Sequence, residues 1–348
     1  MAISSALGSS ALLPAGLGFR NKIINGDFRI NQRAFSSSTT NGTFGFDRWF
    51  FQTNTGTGTY SKQSFTVGSP AENGFEAENF ARVVSASQTG TNAYLILCQK
   101  IEDVRTCAGA TTVVSFYAKA ASGTPKVAVE LEQNFGSGGS PSSTVTNYLG
   151  QITLSTSWQR FNLTFNVPSI TGKTIGTTAN TSCLQLNLWC SAGTDFNSRT
   201  GSIGIQSNTF DFWGVQLEQN RQPTPFEQRP IGTELSLCQR YFWRNDVSGN
   251  TNARIGVGMV VGASAQGYMN HPVTMRTAPT SITTSSTAGN FGFYNGAGVA
   301  GGSSVPTFDA ASVFGTNVSL SLSSSITTNG GHIYRINTPC WIEVSAEL

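Results

Sequence analysis

The residues from 211 to 242 constrain the fold more than any other stretch, because they prescribe three local shapes in succession. Phe212–Glu218 carries apolar side chains that suit a half-buried β-strand. Pro223, Pro225 and Pro230 follow, and each fixes φ and lacks an N–H, so their segment cannot lie inside a sheet or a helix. We therefore predict a strand, a rigid extended corner and a short helix, in that order.

The predicted helix begins at Thr233, whose hydroxyl can cap it, and Glu234 suits its first turn. Helical spacing then places four side chains on one face: Leu235, Cys238, Tyr241 and Phe242. A helix this short is marginal on its own, so this face must pack against something. Two interpretations stay open: an ordinary connector between domains, or a packed neck between two β modules that orders the second module at a subunit interface.

The chain on both sides of this joint is typical of β-sheet proteins. Short runs of β-formers alternate with Gly, Asn, Ser and Pro at the interval expected of a sandwich or barrel. The first and last strands of the N-terminal part are expected to lie near each other, as in jelly rolls. We predict an all-β protein with four parts: an N-terminal arm at 1–20, a jelly-roll β-sandwich at 21–220, a proline corner and short helix at 221–243, and a small C-terminal β module at 244–348.

Composition limits the partners of the chain. Charged residues make up only 11% and the formal net charge is +3, so neither nucleic acid nor an acidic membrane is an expected partner. The 23 Phe, 8 Tyr and 6 Trp supply large apolar side chains for a core, which excludes a disordered chain. The uncharged start, before Arg20, fits neither a secretory signal nor a bilayer span. We expect it to be an extended arm that docks on a partner.

The sequence offers one metal-site hypothesis. The six cysteines form no CxxC pair and only two histidines are present, so free thiols are expected and a zinc site is not. Asp27 lies just inside the first strand of the predicted sandwich, and Asp211 opens its last strand. If these strands are neighbours, the two carboxylates and nearby carbonyls can hold a structural Ca²⁺. The alternative is two surface aspartates in turns.

No catalytic arrangement is predicted. Neither His271 nor His332 lies in the sequence context of a serine or cysteine nucleophile. Glu130 and Glu132 lie two apart on a predicted strand and so share a face, as the paired acids of a glycosidase can. The alternative is that both are ordinary strand residues that face solvent, because such acids show the same two-residue spacing.

Aromatic side chains are better candidates for binding than charged ones. Their faces stack on the CH-rich faces of sugars, and amide or carboxylate groups beside them satisfy the hydroxyls. Most aromatic residues of this chain are expected in the core. Phe135 and Tyr148 flank a Gly-Ser loop, and we predict that these two are exposed and bind a glycan.

Several stretches, in order along the chain, resemble one family of tailed-bacteriophage virion proteins. They are NKIINGDFRINQR at 21–33 with FGFDRWF at 45–51, VQLEQNRQPTPFEQRPIGTELSLCQRYF at 215–242, VTMRTAPT at 273–280 and AEL at 346–348. The opening carries the family's Asn-Gly-x-Phe turn, Gln-Arg pair and Asp-Arg-Trp. The chain departs from the family at Asn31, Ala34 and Pro223, where an aromatic residue, glycine and alanine are common.

The resemblance implies a carbohydrate-binding-like jelly roll joined to a small β module, in a tail fibre or a related virion protein. Such proteins are usually homotrimers that fold in the host cytoplasm. Within the family, the N-terminal arm attaches to other proteins of the particle, and the C-terminal module is the exposed end. We therefore predict a protein of the virion that is not an enzyme.

The sequence leaves three functions open. The predicted one is a tail fibre or tip that recognises a host surface glycan. The second is a decoration or cement protein of the capsid, neck or baseplate, without receptor binding. The third is a glycan-cleaving tail enzyme, which would need the glutamate pair on the strand. Beyond the Ca²⁺ hypothesis, no cofactor is predicted.

Overall fold

The computed structural model describes residues 19–72, 74–250, 253–296, 298–326 and 330–348. Within these residues almost all of the regular secondary structure is β-strand, with two short α-helices and two 3₁₀ turns, so the predicted all-β class is confirmed. Of the predicted N-terminal arm, only Phe19 and Arg20 belong to the described part of the chain. The prediction for residues 1–18 lies outside it.

The N-terminal part is a sandwich of two antiparallel sheets. Its strands are β1 (Ser37–Ser38), β2 (Phe50–Asn54), β3 (Thr57–Ser64), β4 (Asn79–Ala86), β5 (Tyr94–Ile101), β6 (Thr111–Ala120), β7 (Lys126–Asn134), β8 (Val145–Thr153), β9 (Gln159–Asn166), β10 (Cys183–Ala192) and β11 (Asn208–Glu218). One sheet has the order β1-β3-β4-β11-β6-β9, and the other has the order β2-β5-β10-β7-β8. A helical turn, α1 (Asn197–Thr200), lies between β10 and β11.

Aromatic side chains fill the space between the two sheets. Trp49, Phe116 and Phe212 are all fully buried there. Alternate residues of each strand point to opposite faces, so each strand contributes every second side chain to this core. The abundance of Phe and Trp in the sequence is thus accounted for by one large apolar cluster.

The start of the described chain lies along the last strand of the sandwich. The N–H of Lys22 donates to the carbonyl of Leu217 at 2.8 Å, and the N–H of Val215 donates to the carbonyl of Gly26 at 2.9 Å. A Cβ at Gly26 would come within 2.1 Å of the Val215 carbonyl oxygen, so only glycine permits this approach. The predicted adjacency is confirmed, but residues 21–30, with Asp27 among them, form turns and extended chain and not the predicted first strand.

The joint follows the predicted order but not the predicted boundaries. The helix α2 (Ile231–Gln239) begins directly after Pro230, two residues before the expected cap at Thr233, and no side chain caps it. The extended φ and ψ of Pro230, −53° and 140°, end the corner, and its carbonyl accepts from the N–H of Glu234. Within the described residues, no helix is long and apolar enough to cross a membrane.

The four side chains assigned to one helical face do not share it. Leu235 and Cys238 lie on α2, but the helix ends before Tyr241, and Phe242 already belongs to the next strand. Cys238, Tyr241 and Phe242 are buried within a single chain, whereas Leu235 is half-buried. Three of the four therefore pack within the chain, and the subunit interface stays a prediction in which only Leu235 is partly accessible.

The C-terminal part is a second pair of antiparallel sheets. Its strands are β12 (Phe242–Asp246), β13 (Arg254–Val261), β14 (Ser264–Asn270), β15 (Ile282–Thr284), β16 (Phe291–Tyr294), β17 (Val299–Gly301), β18 (Thr307–Ala311), β19 (Gly315–Ser321), β20 (Gly330–Arg335) and β21 (Trp341–Ser345). A three-stranded sheet has the order β12-β21-β15, and a seven-stranded sheet has the order β17-β16-β20-β13-β14-β19-β18. Their core contains Phe291, Phe293, Leu320, Ile333 and Ile342.

A buried ionic cluster joins the sandwich, the joint and the C-terminal part. Glu347 accepts hydrogen bonds from both Arg33, at 3.1 Å, and Arg48. The guanidinium of Arg33 lies 3.6 Å from the ring centroid of Phe242, and that of Arg48 lies 3.5 Å from the ring centroid of Tyr241. Burial lowers the pKa of the Arg48 guanidinium to about 10. Arg33 also pairs with Asp47 at 3.5 Å, so within the described residues Arg48 is the buried cation whose one carboxylate partner, Glu347, comes from the C-terminal part of the chain.

We predict that Glu347→Gln lowers the free energy of unfolding by about 3 kcal/mol, because two buried guanidinium groups lose their shared carboxylate. Urea denaturation followed by tryptophan fluorescence measures the change. The matched control is Asp103→Asn, which breaks the exposed ion pair between Asp103 and Arg105 at 2.9 Å. An exposed pair contributes less than about 1 kcal/mol. Equal losses in the two variants would contradict the central role of the cluster.

Candidate functional site

The outer face of the five-stranded sheet carries an ordered set of polar side chains. Along its central strand β10, the leucines at 184, 186 and 188 belong to the core, so the residues between them point outward. The strands β5 and β7 flank β10 and lie in register with it. The outward residues of these three strands, which we call the outer face, include Cys98, Lys100, Glu130, Glu132, Gln185, Asn187 and Trp189.

Glu130 is the centre of the hydrogen bonds on this face. Its side chain is fully buried and accepts from Arg199 Nε at 2.7 Å and Nη2 at 2.8 Å. It also accepts from Asn187 Nδ2 at 2.9 Å and Trp189 Nε1 at 3.0 Å. Arg199 further donates to Glu132 at 2.9 Å. Both oxygens of Glu130 are therefore engaged, and the group anchors α1 to the sheet.

This arrangement does not suit the paired acids of a glycosidase. Glu130 is held by a bidentate arginine and has no access to solvent, so it can neither take up nor deliver a proton at a substrate. Burial raises the pKa of the Glu132 carboxyl, and the charge of Arg199 opposes that shift. The polar groups that this buried network leaves accessible are the partly exposed side chains of Glu132 and Arg199, which it holds in fixed positions and which suit binding.

Tyr148 lies on this face, under the helical turn. It is opposite Glu130 across β7 and β8, and it packs with Phe196 and Trp189 in the outer apolar cluster. A Cβ at Gly201, where φ is +61°, would come within 2.2 Å of the Tyr148 hydroxyl oxygen. Tyr148 is half-buried, so part of its ring faces solvent and its predicted role in glycan binding stays a prediction.

Phe135 is not exposed, contrary to the sequence-based expectation. Only 1% of its surface is accessible, so its ring cannot stack on a sugar. The Gly-Ser loop that follows it pairs with a second polar loop: Thr178 N–H donates to the Ser137 carbonyl at 2.9 Å, and Ser142 N–H donates to the Thr174 carbonyl at 2.9 Å. The two loops close over the ring, and this pairing is not visible in the local sequence.

The calcium hypothesis does not fit the structure. Asp211 is buried and accepts a bidentate pair of hydrogen bonds from Arg82 at 2.7 and 2.9 Å, while Asp27 forms an ion pair with Arg29 at 3.0 Å. Guanidinium groups thus occupy the positions where a cation would bind. Among the described residues, no group of three or more His, Cys, Asp or Glu side chains is placed to hold a metal ion. All six cysteines are buried free thiols.

The residues that build the outer face were largely missed at the sequence level. Arg199 follows a short polar stretch with no strand or helix signal of its own. Gln185 and Asn187 lie on β10, and Gln185 Nε2 donates to Asn187 Oδ1 at 2.7 Å. Their alternation with leucines was the available signal, because it places both amides on the face opposite the core.

A family model described as a carbohydrate binding domain matches residues 36–182. The matched segment starts just before β1 and ends just before β10, so it covers most of both sheets of the sandwich. No curated protein matches the chain. The sandwich is therefore similar to carbohydrate-binding domains, and the match points to a binding role rather than a catalytic one.

Solved structures similar to the chain include two carbohydrate-binding modules and a phage domain. The CBM22-2 xylan-binding domain from Paenibacillus barcinonensis Xyn10C is 16% identical with a TM-score of 0.32, over 53% of this chain and 98% of that chain. A family 11 carbohydrate-binding module from Clostridium thermocellum is 12% identical with a TM-score of 0.30, over 55% and 99%. The enzymatically active domain of bacteriophage CBA120 tailspike protein 4 is 11% identical with a TM-score of 0.33, over 58% of this chain but 22% of that chain. TM-scores this low establish no shared function.

The buried carboxyl of Asp27 gives a test by pH. Burial raises its pKa from 3.8 to about 6, although Arg29 opposes the shift. The folded state therefore binds this proton more tightly than the unfolded state, so the associated stability is present below about pH 4 and is lost as the pH rises through 6.

We predict that the free energy of unfolding of Asp27→Asn, relative to that of the wild type, rises by about 2 to 3 kcal/mol when the pH is raised from about 3.5 to about 7.5. The wild type loses the stability linked to the protonated Asp27 carboxyl over this range, whereas asparagine does not titrate. Urea denaturation of both proteins at the two pH values measures this difference. A difference between the two proteins that is the same at both pH values would show that the Asp27 carboxyl is not buried as described.

Proposed function

We propose that the protein is a structural component of a bacteriophage virion, most specifically a tail fibre or tip, that recognises a host surface glycan. The observation that carries the glycan part is the match of a carbohydrate binding domain to the sandwich. The virion part rests on the ordered motifs at 21–51, 215–242 and 273–280 that resemble phage virion proteins. We also propose that the N-terminal arm attaches the protein to the particle.

The outer face is the surface that we assign to the glycan. Its amides, at Gln185 and Asn187, are buried and do not reach a ligand themselves, but they hold Glu130 and the strands around it in a fixed arrangement. Accessible groups on such a fixed support lose little conformational freedom when they bind a sugar hydroxyl. Partly exposed side chains at Gln52, Glu132 and Tyr148 border these groups and provide the accessible contacts.

Two related functions remain as alternatives. A decoration or cement protein of the capsid, neck or baseplate would use the same sandwich without binding a receptor. Oligomerisation as a homotrimer is expected of either role, and Ile231 at 58% exposure, beside the half-buried Leu235, leaves α2 a free apolar side. A glycan-cleaving enzyme is disfavoured because Glu130 is fully engaged with Arg199.

The glycan assignment predicts a loss of affinity on a defined face. Purified full-length protein is titrated with capsular polysaccharide and lipopolysaccharide from the host, and binding is measured by biolayer interferometry. The double variant Gln52→Ala and Glu132→Ala is expected to bind at least about tenfold more weakly, which corresponds to about 1.4 kcal/mol of lost contacts. Retention of the wild-type melting temperature shows that the variant is folded.

The matched control is Asn162→Ala, an exposed polar residue on β9 of the opposite sheet, and its affinity is expected to be unchanged. Equal affinity for the wild type and the double variant would exclude the outer face as the binding site. If the wild type binds no host glycan and is present in many copies per particle, the decoration role replaces receptor recognition.

A further inference from the structure

A pocket on the outer surface of the seven-stranded sheet has the lining of a ligand site. It has a volume of about 310 Å³ and is lined by Arg254, Tyr294, Val299, His332 and Tyr334. These residues come from four strands that are neighbours in the sheet, in the order β17, β16, β20 and β13. A site built on adjacent strands of a sheet is held more rigidly than one built on loops.

The strand register explains why these side chains converge. Phe293 and Ile333 lie opposite each other in the core, so their neighbours Tyr294, His332 and Tyr334 point to the opposite face. Tyr294 pairs with both His332 and Val299, its neighbours across β20 and β17.

Two tyrosines form the aromatic part of the pocket. The rings of Tyr294 and Tyr334 have centroids 6.3 Å apart and planes inclined at 65°, so they form two walls of a corner. Tyr294 is 39% exposed, although its apolar ring lies on a strand. An exposed aromatic face beside a hydroxyl suits the CH-rich face of a sugar ring.

The polar groups of the pocket are without partners. Arg254 is exposed, and within the described residues its side chain forms no ion pair, hydrogen bond or ring contact. The Nδ1 atom of His332 is buried, and no described atom hydrogen-bonds to it. Buried polar atoms are normally hydrogen-bonded, so an unpaired one at a pocket wall indicates that the partner is a ligand or water. None of the lining residues is acidic, so Arg254 gives the pocket a positive charge.

We propose that this pocket binds a sugar residue that carries a carboxylate, of the uronic acid or sialic acid type. The ring of the sugar packs against Tyr294 and Tyr334, its carboxylate pairs with Arg254, and a hydroxyl bonds to His332. A planar guanidinium binds a carboxylate through two parallel hydrogen bonds, whereas a neutral sugar leaves its charge unpaired. The pocket is separate from the outer face of the sandwich, so this proposal does not depend on whether that face binds a glycan.

Binding of monosaccharides to the full-length protein tests this directly. Glucuronic acid, N-acetylneuraminic acid and glucose are titrated, with binding followed by saturation-transfer NMR. At least one acidic sugar is expected to bind at least about tenfold more tightly than glucose. Arg254→Gln is expected to abolish that preference, and Tyr294→Ala is expected to weaken every sugar that binds.

The matched control is Arg335→Gln, which removes the same charge from the same strand as Tyr334 but does not line the pocket. It is expected to bind like the wild type, as is the double variant of the outer face. The proposal is overturned if no acidic sugar binds, if glucose binds equally well, or if Arg335→Gln loses as much affinity as Arg254→Gln. Inorganic sulfate is also tested as a competitor of the acidic sugar. If sulfate competes equally well in the wild type and in Tyr294→Ala, the pocket binds only an anion and does not recognise the sugar ring.

Discussion

The structure depends on two buried guanidinium groups, those of Arg33 and Arg48, that share the carboxylate of Glu347. Removing a charge from water costs several kcal/mol, so this cluster is stable only when all its members are present. The two arginines belong to the N-terminal segment, while Tyr241 and Phe242 supply the aromatic faces from the joint. The proline corner thus does more than connect two parts of the chain, because it leads the chain to the position where these two rings cover the guanidinium groups.

Much of the architecture was predictable because its signals are local. Three prolines within eight residues exclude regular structure wherever they occur, and alternating apolar residues indicate a strand in any context. The exact start of α2 was not predictable in this way. The Pro230 carbonyl begins the helix by accepting from Glu234, so the hydroxyl of Thr233 is not needed as a cap.

The candidate site was less predictable, because its contacts join residues distant in sequence. Arg199 and Glu130 are separated by 69 positions, and Arg82 and Asp211 by 129. A carboxylate in a sequence does not reveal whether its partner is a metal ion, a sugar or an arginine. The calcium and glycosidase hypotheses therefore rested on acids whose partners are arginines of the same chain. Phe135 was misread for a related reason, since the loop that covers it is about 40 residues away.

The separation of Arg48 from Glu347, 299 positions, has a consequence for synthesis. At translation rates of 5 to 20 residues per second, the carboxylate leaves the ribosome roughly 15 to 60 s after the arginine does. During that interval the nascent sandwich contains a cation that must stay hydrated, so the surface around it cannot close. Arg48 can lose its bound water only once the chain has been synthesised as far as Glu347. The packing of the first part of the chain therefore waits for a residue that is made 299 positions later.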